Sequence, residues 1–209
     1  MIFPDALARL ETAFRAELPG VAAHALLAPR MRRDWPPGYD PAQIRQAAGL
    51  LLLFPRLDQA HVLLTVRADT LGRHRSQVSL PGGAVEPGET VERAALREAH
   101  EEIGLVPDEV RIVGALTPLD IPVSGFRLHP VIGAVGRQPT LCPADDEVAR
   151  ILDVSVDELT APSSVVETRQ MRDGQTRIVP AFRVAGVEVW GATAMVLAEF
   201  LLMLGWTKA

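Results

Sequence analysis

Apolar side chains recur at helical spacing near the start of the chain, at Leu7, Leu10, Phe14 and Leu18. That period predicts an amphipathic helix packed on a larger body, with Pro4 tolerated in its first turn. Residues 30–43, RMRRDWPPGYDPAQ, are rich in proline and charge and read as a connecting loop. Beyond it, residues 47–54 and 61–67 predict two strands joined by a proline-containing turn, and residues 78–80 a third. The glycine- and proline-rich PGGAVEPGE follows, then a helix over 91–103 with Thr90 as N-cap and Gly104 as its stop. Further strands are expected over 111–117, 128–135, 177–182 and 187–190, and a last helix over 192–204. The order predicts a mixed sheet flanked by helices, an α/β or α+β fold. Residues 1–45 form an N-terminal helix and connecting loop packed on a main domain spanning 46–209.

Composition narrows the function. Hydrophobic residues are 48% of the 209, enough for a sizeable core. The formal net charge of −5 argues against broad neutralisation of nucleic-acid phosphates but leaves room for a small phosphorylated ligand. Cys142 is the lone cysteine, so neither an internal disulfide nor a paired-cysteine metal site is available. The opening MIFPDALARLETAFRAEL lacks the basic-then-apolar pattern of a signal peptide. The apolar stretch near the end is broken by Glu199, and no segment approaches the roughly 20 apolar residues of a membrane span. A cytoplasmic protein with a small-molecule substrate, and neither nucleic acid nor membrane as partner, is expected; oligomeric state is not legible.

Chemistry concentrates in GGAVEPGETVERAALREAHEEIGL, residues 82–105. At about 100° per residue, Glu98, Glu101 and Glu102 leave one side of the helix. Like charges at these spacings repel by a few tenths of a kcal/mol per pair, and a hard divalent cation would relieve them because Mg²⁺ prefers carboxylate and water oxygens. Taken alone, REAHEE reads first as a solvated acidic surface with Arg97 as counterion. The longer spacing removes that ambiguity. Gly83, five residues, Glu89, seven residues, then Arg97, Glu98, Glu101, Glu102 and Gly104 form a pattern of seven fixed positions. With each residue type near 7% of usage, it arises by chance on the order of once in 10⁶ chains.

This segment resembles the Nudix box. The family cleaves nucleoside diphosphates linked to another moiety, and the resemblance implies a loop–helix–loop on an α/β/α sandwich. It further implies binding of Mg²⁺ or Mn²⁺ by Glu98 and Glu102, with Glu101 joining them or positioning a water, and the Gly83 carbonyl near the metal. Glu89 and Arg97 would form an ion pair fixing loop to helix, and Gly104 would close the motif. Ala99 departs from the family's larger aliphatic residue, which affects packing more than chemistry.

A second motif lies upstream. LLTVRADTLGRHRSQVSLPGG, residues 63–83, resembles the LLTxRSxxLxxHxGQVxFPGG signature of coenzyme A diphosphatases at eleven positions; Ala68, Ser76 and Leu80 depart from it. Arg67, Arg73, His74, Arg75 and Gln77 are its candidate substrate contacts. Arginine forks suit the extra 3′-phosphate of coenzyme A, while a basic surface loop with a hydrogen-bonded His74 is the plainer alternative. Residues 117–133, 144–152 and 190–197 also resemble segments of that subfamily. They add Ser124 as a substrate-loop candidate and Glu147, beside Asp145 and Asp146, as a general base or further ligand. The implied reaction converts coenzyme A, or its acylated or oxidised forms, to 3′,5′-ADP and 4′-phosphopantetheine. ADP-ribose or another nucleoside diphosphate derivative is the alternative substrate, and a non-catalytic nucleotide-binding Nudix domain the remote alternative.

Overall fold

The seven consecutive buried positions of AGLLLLF, residues 48–54, organise the molecule. A strand buried on both faces reads as an unbroken apolar run, and this run lies inside β1 (Arg45–Arg56), at the middle of the main sheet. The computed structural model describes residues 1–30, 34–68, 77–143, 147–172 and 175–208. Among these, β1 runs parallel to β7 (Phe126–Ala134) on one edge. On the other it is antiparallel first to β4 (Gly82–Ala84) and then to β2 (Gln59–Arg67). β3 (Val78–Ser79) and β8 (Val148–Ser155) extend the sheet from β2. β5 (Arg111–Ala115) and β6 (Leu119–Ile121) extend it from β7.

Alternation along β1 sorts two cores. Ala48, Leu50, Leu52 and Phe54 point to one face and pack with Ala94, Ala95, Ala99 and Ile103 of α3 (Val91–Ile103). Leu51 and Leu53 point to the other and join Met195, Phe200 and Leu201 of α5 (Ala192–Met203). The mixed sheet between helices is an α+β sandwich. Ala6 and Leu10 of α1 (Phe3–Ala13) and Leu27 of α2 (Gly20–Leu27) belong to the α5-side core.

Several elements depart from the sequence pattern. The N-terminal helix stops at Ala13, and Leu18 lies in the connection to α2. GVAAHALL is almost uniformly apolar, so α2 has no amphipathic period to announce it. Strands β4, β6, β8 and β9 (Val165–Arg172) were not expected; β4 and β6 have only three residues each, too few for a period. β10 (Gln175–Val184) and β11 (Val187–Trp190) form at the expected places but belong to a separate three-stranded sheet, in the order β11-β10-β9. The 30–43 connection contains a single turn of 3₁₀ helix, Pro41–Gln43, capped by Asp40. Among the described residues no helix is long and apolar enough to cross a membrane.

One buried polar node ties the α5 side together. Glu199, fully buried, accepts from Gly20 N at 3.1 Å, from His24 Nε2 at 2.9 Å and from Thr117 Oγ1 at 2.7 Å. Burial by itself raises its pKa, but the bonds from His24 and Thr117 outweigh burial and hold it below the ordinary glutamate value.

Candidate active site

The glycine loop between β3 and α3 and one face of α3 make the candidate site. The loop is held flat on the sheet. Leu50 N donates to the Pro81 carbonyl at 2.9 Å, and β4 places Gly83 opposite Ala48. α3 begins where Thr90 Oγ1 accepts from Arg93 N at 3.3 Å. It ends at Gly104, whose φ of +68° closes the helix in the left-handed region that favours glycine. Fully buried Ala94, Ala95 and Ala99 let the helix seat closely on β1.

The three glutamates are graded in burial. Glu102 is 8% exposed, the Glu98 side chain 18% and the Glu101 side chain 55%. Glu98 and Glu102 lie about 40° apart around the axis and reach adjacent glycines. Glu102 Oε2 accepts from Gly82 N at 3.3 Å. A Cβ placed on Gly83 would stand 2.5 Å from the Glu98 carboxylate, so only glycine permits this approach without displacement.

Arg97 locks the arrangement. Its Nε and Nη2 bond the two Glu89 oxygens at 3.0 and 3.1 Å, and Nη2 also reaches the Ala84 carbonyl at 3.0 Å. Nη1 bonds Glu98 at 2.9 Å and Glu101 at 3.1 Å. The bond to Glu89, reinforced by Glu98, raises the Arg97 pKa despite some burial. The same bond, with Glu86 N donating at 3.1 Å, lowers that of Glu89. One guanidinium thus joins loop backbone, loop carboxylate and helix.

Among the described residues no three Asp, Glu, His or Cys side chains converge closely enough to hold an ion by themselves. Glu101 turns to Arg97 at the rim instead of meeting Glu98 and Glu102. The donor set still suits a small hard cation. Mg²⁺ commonly takes one or two carboxylates and completes its shell with waters and substrate phosphates, and two carboxylates abut the Gly82–Gly83 backbone.

Other sequence candidates lie around this unit. Glu147, immediately before β8, bonds Arg67 Nη2 at 2.9 Å, and its carbonyl accepts from Ala68 N at 2.8 Å. The Gln77 carbonyl accepts from Arg67 N at 3.1 Å, so the two ends of the 67–77 segment meet at the sheet. Arg73, His74, Arg75, Asp145 and Asp146 lie outside the described residues. Ser124 sits in the exposed turn from β6 to β7, with its carbonyl accepting from Arg45 Nη2 at 2.9 Å.

Pattern reading passed over a polar group across β1 from the loop. His129 is opposite Ala48 across β1, as Gly83 is on the other edge, and its Nε2 lies 2.7 Å from Gln46 Oε1. Burial, then Arg127, lowers the His129 pKa against the pull of Asp120 and Glu92. Arg127 forks onto Asp120 at 2.6 and 3.1 Å, and Trp35 Nε1 donates to the same carboxylate at 3.2 Å. The available signal was the polar–apolar alternation of FRLHPV, which points Arg127 and His129 to one face.

Among the described residues, two cavities adjoin β6 on the α5 side, and neither is lined by α3. One, of about 440 Å³, lies among β6, β10 and the first turn of α5. The other, of about 350 Å³, shares Leu119, Asp120 and Pro122 with it and reaches Trp35 and Arg127.

The NUDIX domain family model matches residues 44–177. An Enterobacter sp. protein described as an uncharacterized Nudix hydrolase NudL is 34% identical over 181 residues, covering 86% of this chain and 90% of that protein. A Cronobacter sakazakii protein of the same description is 35% identical over 162 residues, covering 77% and 83%. Among solved structures, the Mycobacterium smegmatis Nudix hydrolase RenU aligns with a TM-score of 0.49 and 27% identity, covering 64% of this chain and 80% of that one. The domain match takes in the glycine loop, α3 and most of the sheet that holds them, and the chain belongs to the Nudix hydrolases, enzymes that act on diphosphate linkages.

Proposed function

We propose that the protein is a metal-dependent coenzyme A diphosphatase, yielding 3′,5′-ADP and 4′-phosphopantetheine. The observation that carries the reading is the seating of Glu98 and Glu102 against Gly82 and Gly83, locked by the Arg97–Glu89 fork. The coenzyme A assignment is supported by the 63–83 motif, Arg67 included. The catalytic domain is assigned to 46–209, with 1–45 as an extension contributing Ala6, Leu10 and Leu27 to a shared core.

Glu98, Glu102 and the Gly83 carbonyl are the groups that would hold Mg²⁺ or Mn²⁺, with Glu101 at the rim. When bound, the ion would offset charge on the diphosphate oxygens and acidify the attacking water. Water adds to one phosphorus, the bridging oxygen leaves with the other phosphate, and the water's proton passes to Glu101 or Glu147. Both carboxylates are about half exposed and arginine-bonded, hence open to a substrate-side water. Arg67, Arg73, His74, Arg75, Gln77 and Ser124 are assigned to substrate contact.

The test is mass-spectrometric product analysis with coenzyme A, its 3′-dephospho form and ADP-ribose, each with Mg²⁺ and with Mn²⁺. Preferred conversion of coenzyme A to the two named products is expected. Preference for ADP-ribose would overturn the substrate, and no cleavage of any of them would overturn the catalytic reading.

A further inference from the structure

Among the described residues, β9 pairs with β10 alone and so forms one edge of the three-stranded sheet. Backbone phase fixes which groups that edge presents. The Ser164 carbonyl accepts from Arg183 N at 2.7 Å, one rung before Val165 meets Phe182. Antiparallel rungs alternate between bonded and unbonded pairs, so Val166, Thr168 and Gln170 bond to β10. Val165, Glu167, Arg169 and Met171 therefore turn their N–H and C=O groups outward. Pro180 agrees, because it stands opposite Glu167 and has no N–H to give. The outward positions are also open to solvent. The Glu167 side chain is 65% exposed, Met171 79%, and Ile178, across from the exposed Arg169, 57%.

An edge of this kind is a template for another strand, and proteins usually defend it with charge. A single sign of charge repels a second copy. Both signs, two residues apart, make the edge complementary to itself. When two copies pair antiparallel about Thr168, Glu167 stands opposite Arg169 of the partner subunit, and Arg169 opposite the partner's Glu167. Val165 then stands opposite the partner's Met171. An axis at Glu167 would set two carboxylates face to face, and one at Arg169 two guanidiniums. Axes nearer either end shorten the ladder. Opposite charges directly across a sheet stabilise it and like charges destabilise it, so the charge pattern selects the axis at Thr168. The four outward residues of each copy then make four bonded rungs of two bonds each, about eight backbone hydrogen bonds. Arg30 lies 3.5 Å from Glu167 but is 88% exposed. A pair so solvated holds that carboxylate too weakly to keep it from a second arginine.

We propose that two copies of this chain join through β9, about a two-fold axis at Thr168, into one continuous six-stranded sheet. The order across it would run β11, β10, β9 and then the same three strands of the partner in reverse. The pairing is independent of the diphosphate chemistry assigned to α3, which packs on the other sheet. A single strand pair is a small interface, so a dissociation constant in the micromolar range is expected.

Sedimentation velocity of the full chain between about 1 µM and about 1 mM should show the mass rising from monomer to dimer. Glu167→Arg places arginines opposite arginines at both central rungs, and Arg169→Glu places carboxylates opposite carboxylates. Each variant alone should raise the dissociation constant at least about tenfold. Both side chains are exposed, so circular dichroism of either variant should match the parent. Mixed in equal amounts, the two variants restore opposite charges at every such rung and should form a heterodimer with near-parental affinity. The same recovery is expected when both changes are made in one chain. A parent that stays monomeric throughout the range would overturn the proposal. Single variants that dimerise as well as the parent would place the interface elsewhere and overturn it too. Weakened single variants whose mixture fails to pair would overturn the axis at Thr168.

Discussion

Gly83→Ala separates a catalytic role of the glycine loop from a structural one. The φ of Gly83 lies outside the left-handed region, so alanine meets no backbone strain there. The added Cβ would stand 2.5 Å from Cδ and both oxygens of Glu98, against 3.4 Å for an ordinary contact, so the carboxylate must move by nearly 1 Å. The end of a flexible glutamate can yield that distance by rotamer adjustment, at a cost of about 1 kcal/mol. The loop is less free, because Gly83 pairs with Ala48 of β1. Chemistry is far less tolerant, since a 1 Å misplacement of a reacting group can cost about 10²-fold in rate. Gly83→Ala should therefore lose about two orders of magnitude in kcat/KM while its urea midpoint scarcely shifts. Metal-saturated kinetics and circular-dichroism melts on the same preparation read both quantities. Activity within about threefold of the parent would refute the placement of Glu98 at the reacting centre. A stability loss of several kcal/mol would show that the loop cannot adjust and would refute the assumed compliance.

Glu98→Gln keeps shape and removes charge, so it should abolish most turnover with the fold intact; near-normal kcat in a metal-saturated assay contradicts the ligand role. Glu199→Ala leaves His24, Gly20 N and Thr117 without their buried acceptor and should destabilise by about 3–5 kcal/mol, which calorimetric melting would register. Because the folded pKa of Glu199 is depressed, the unfolded chain takes up this proton first as pH falls. Its contribution is complete above an unfolded value of about 4.3 and is lost as pH drops through the folded one. Glu199→Gln should accordingly flatten the acid limb of the stability profile, and an unchanged limb would count against the node.

Elements whose signals are local were readable in the chain. Thr90 and Gly104 mark both ends of α3 because capping depends on a few neighbouring residues. The apolar run over 47–54 announced a strand, and the structure buries it on both faces. α2 was not readable, since a segment apolar all round shows no face. β9 was missed, and the separate sheet with it, because strand pairing is chosen by partners distant in sequence. At the site, the i, i+3 and i+4 spacing placed three glutamates on one side of a helix but could not grade them. Packing put Glu102 inside, Glu98 against Gly83 and Glu101 at the rim.

By itself, then, the order of residues determined the family, the glutamate helix and the glycine loop, since those reside in fixed spacings along one continuous segment. Only the tertiary structure decided that Arg97 bonds loop and helix together, that His129 and Gly83 flank Ala48 on opposite edges of β1, and that an apolar cavity forms from β6, β10 and α5. These features are distances between segments far apart in the chain. Such distances are set by which apolar faces bury against one another, and no local pattern records that choice.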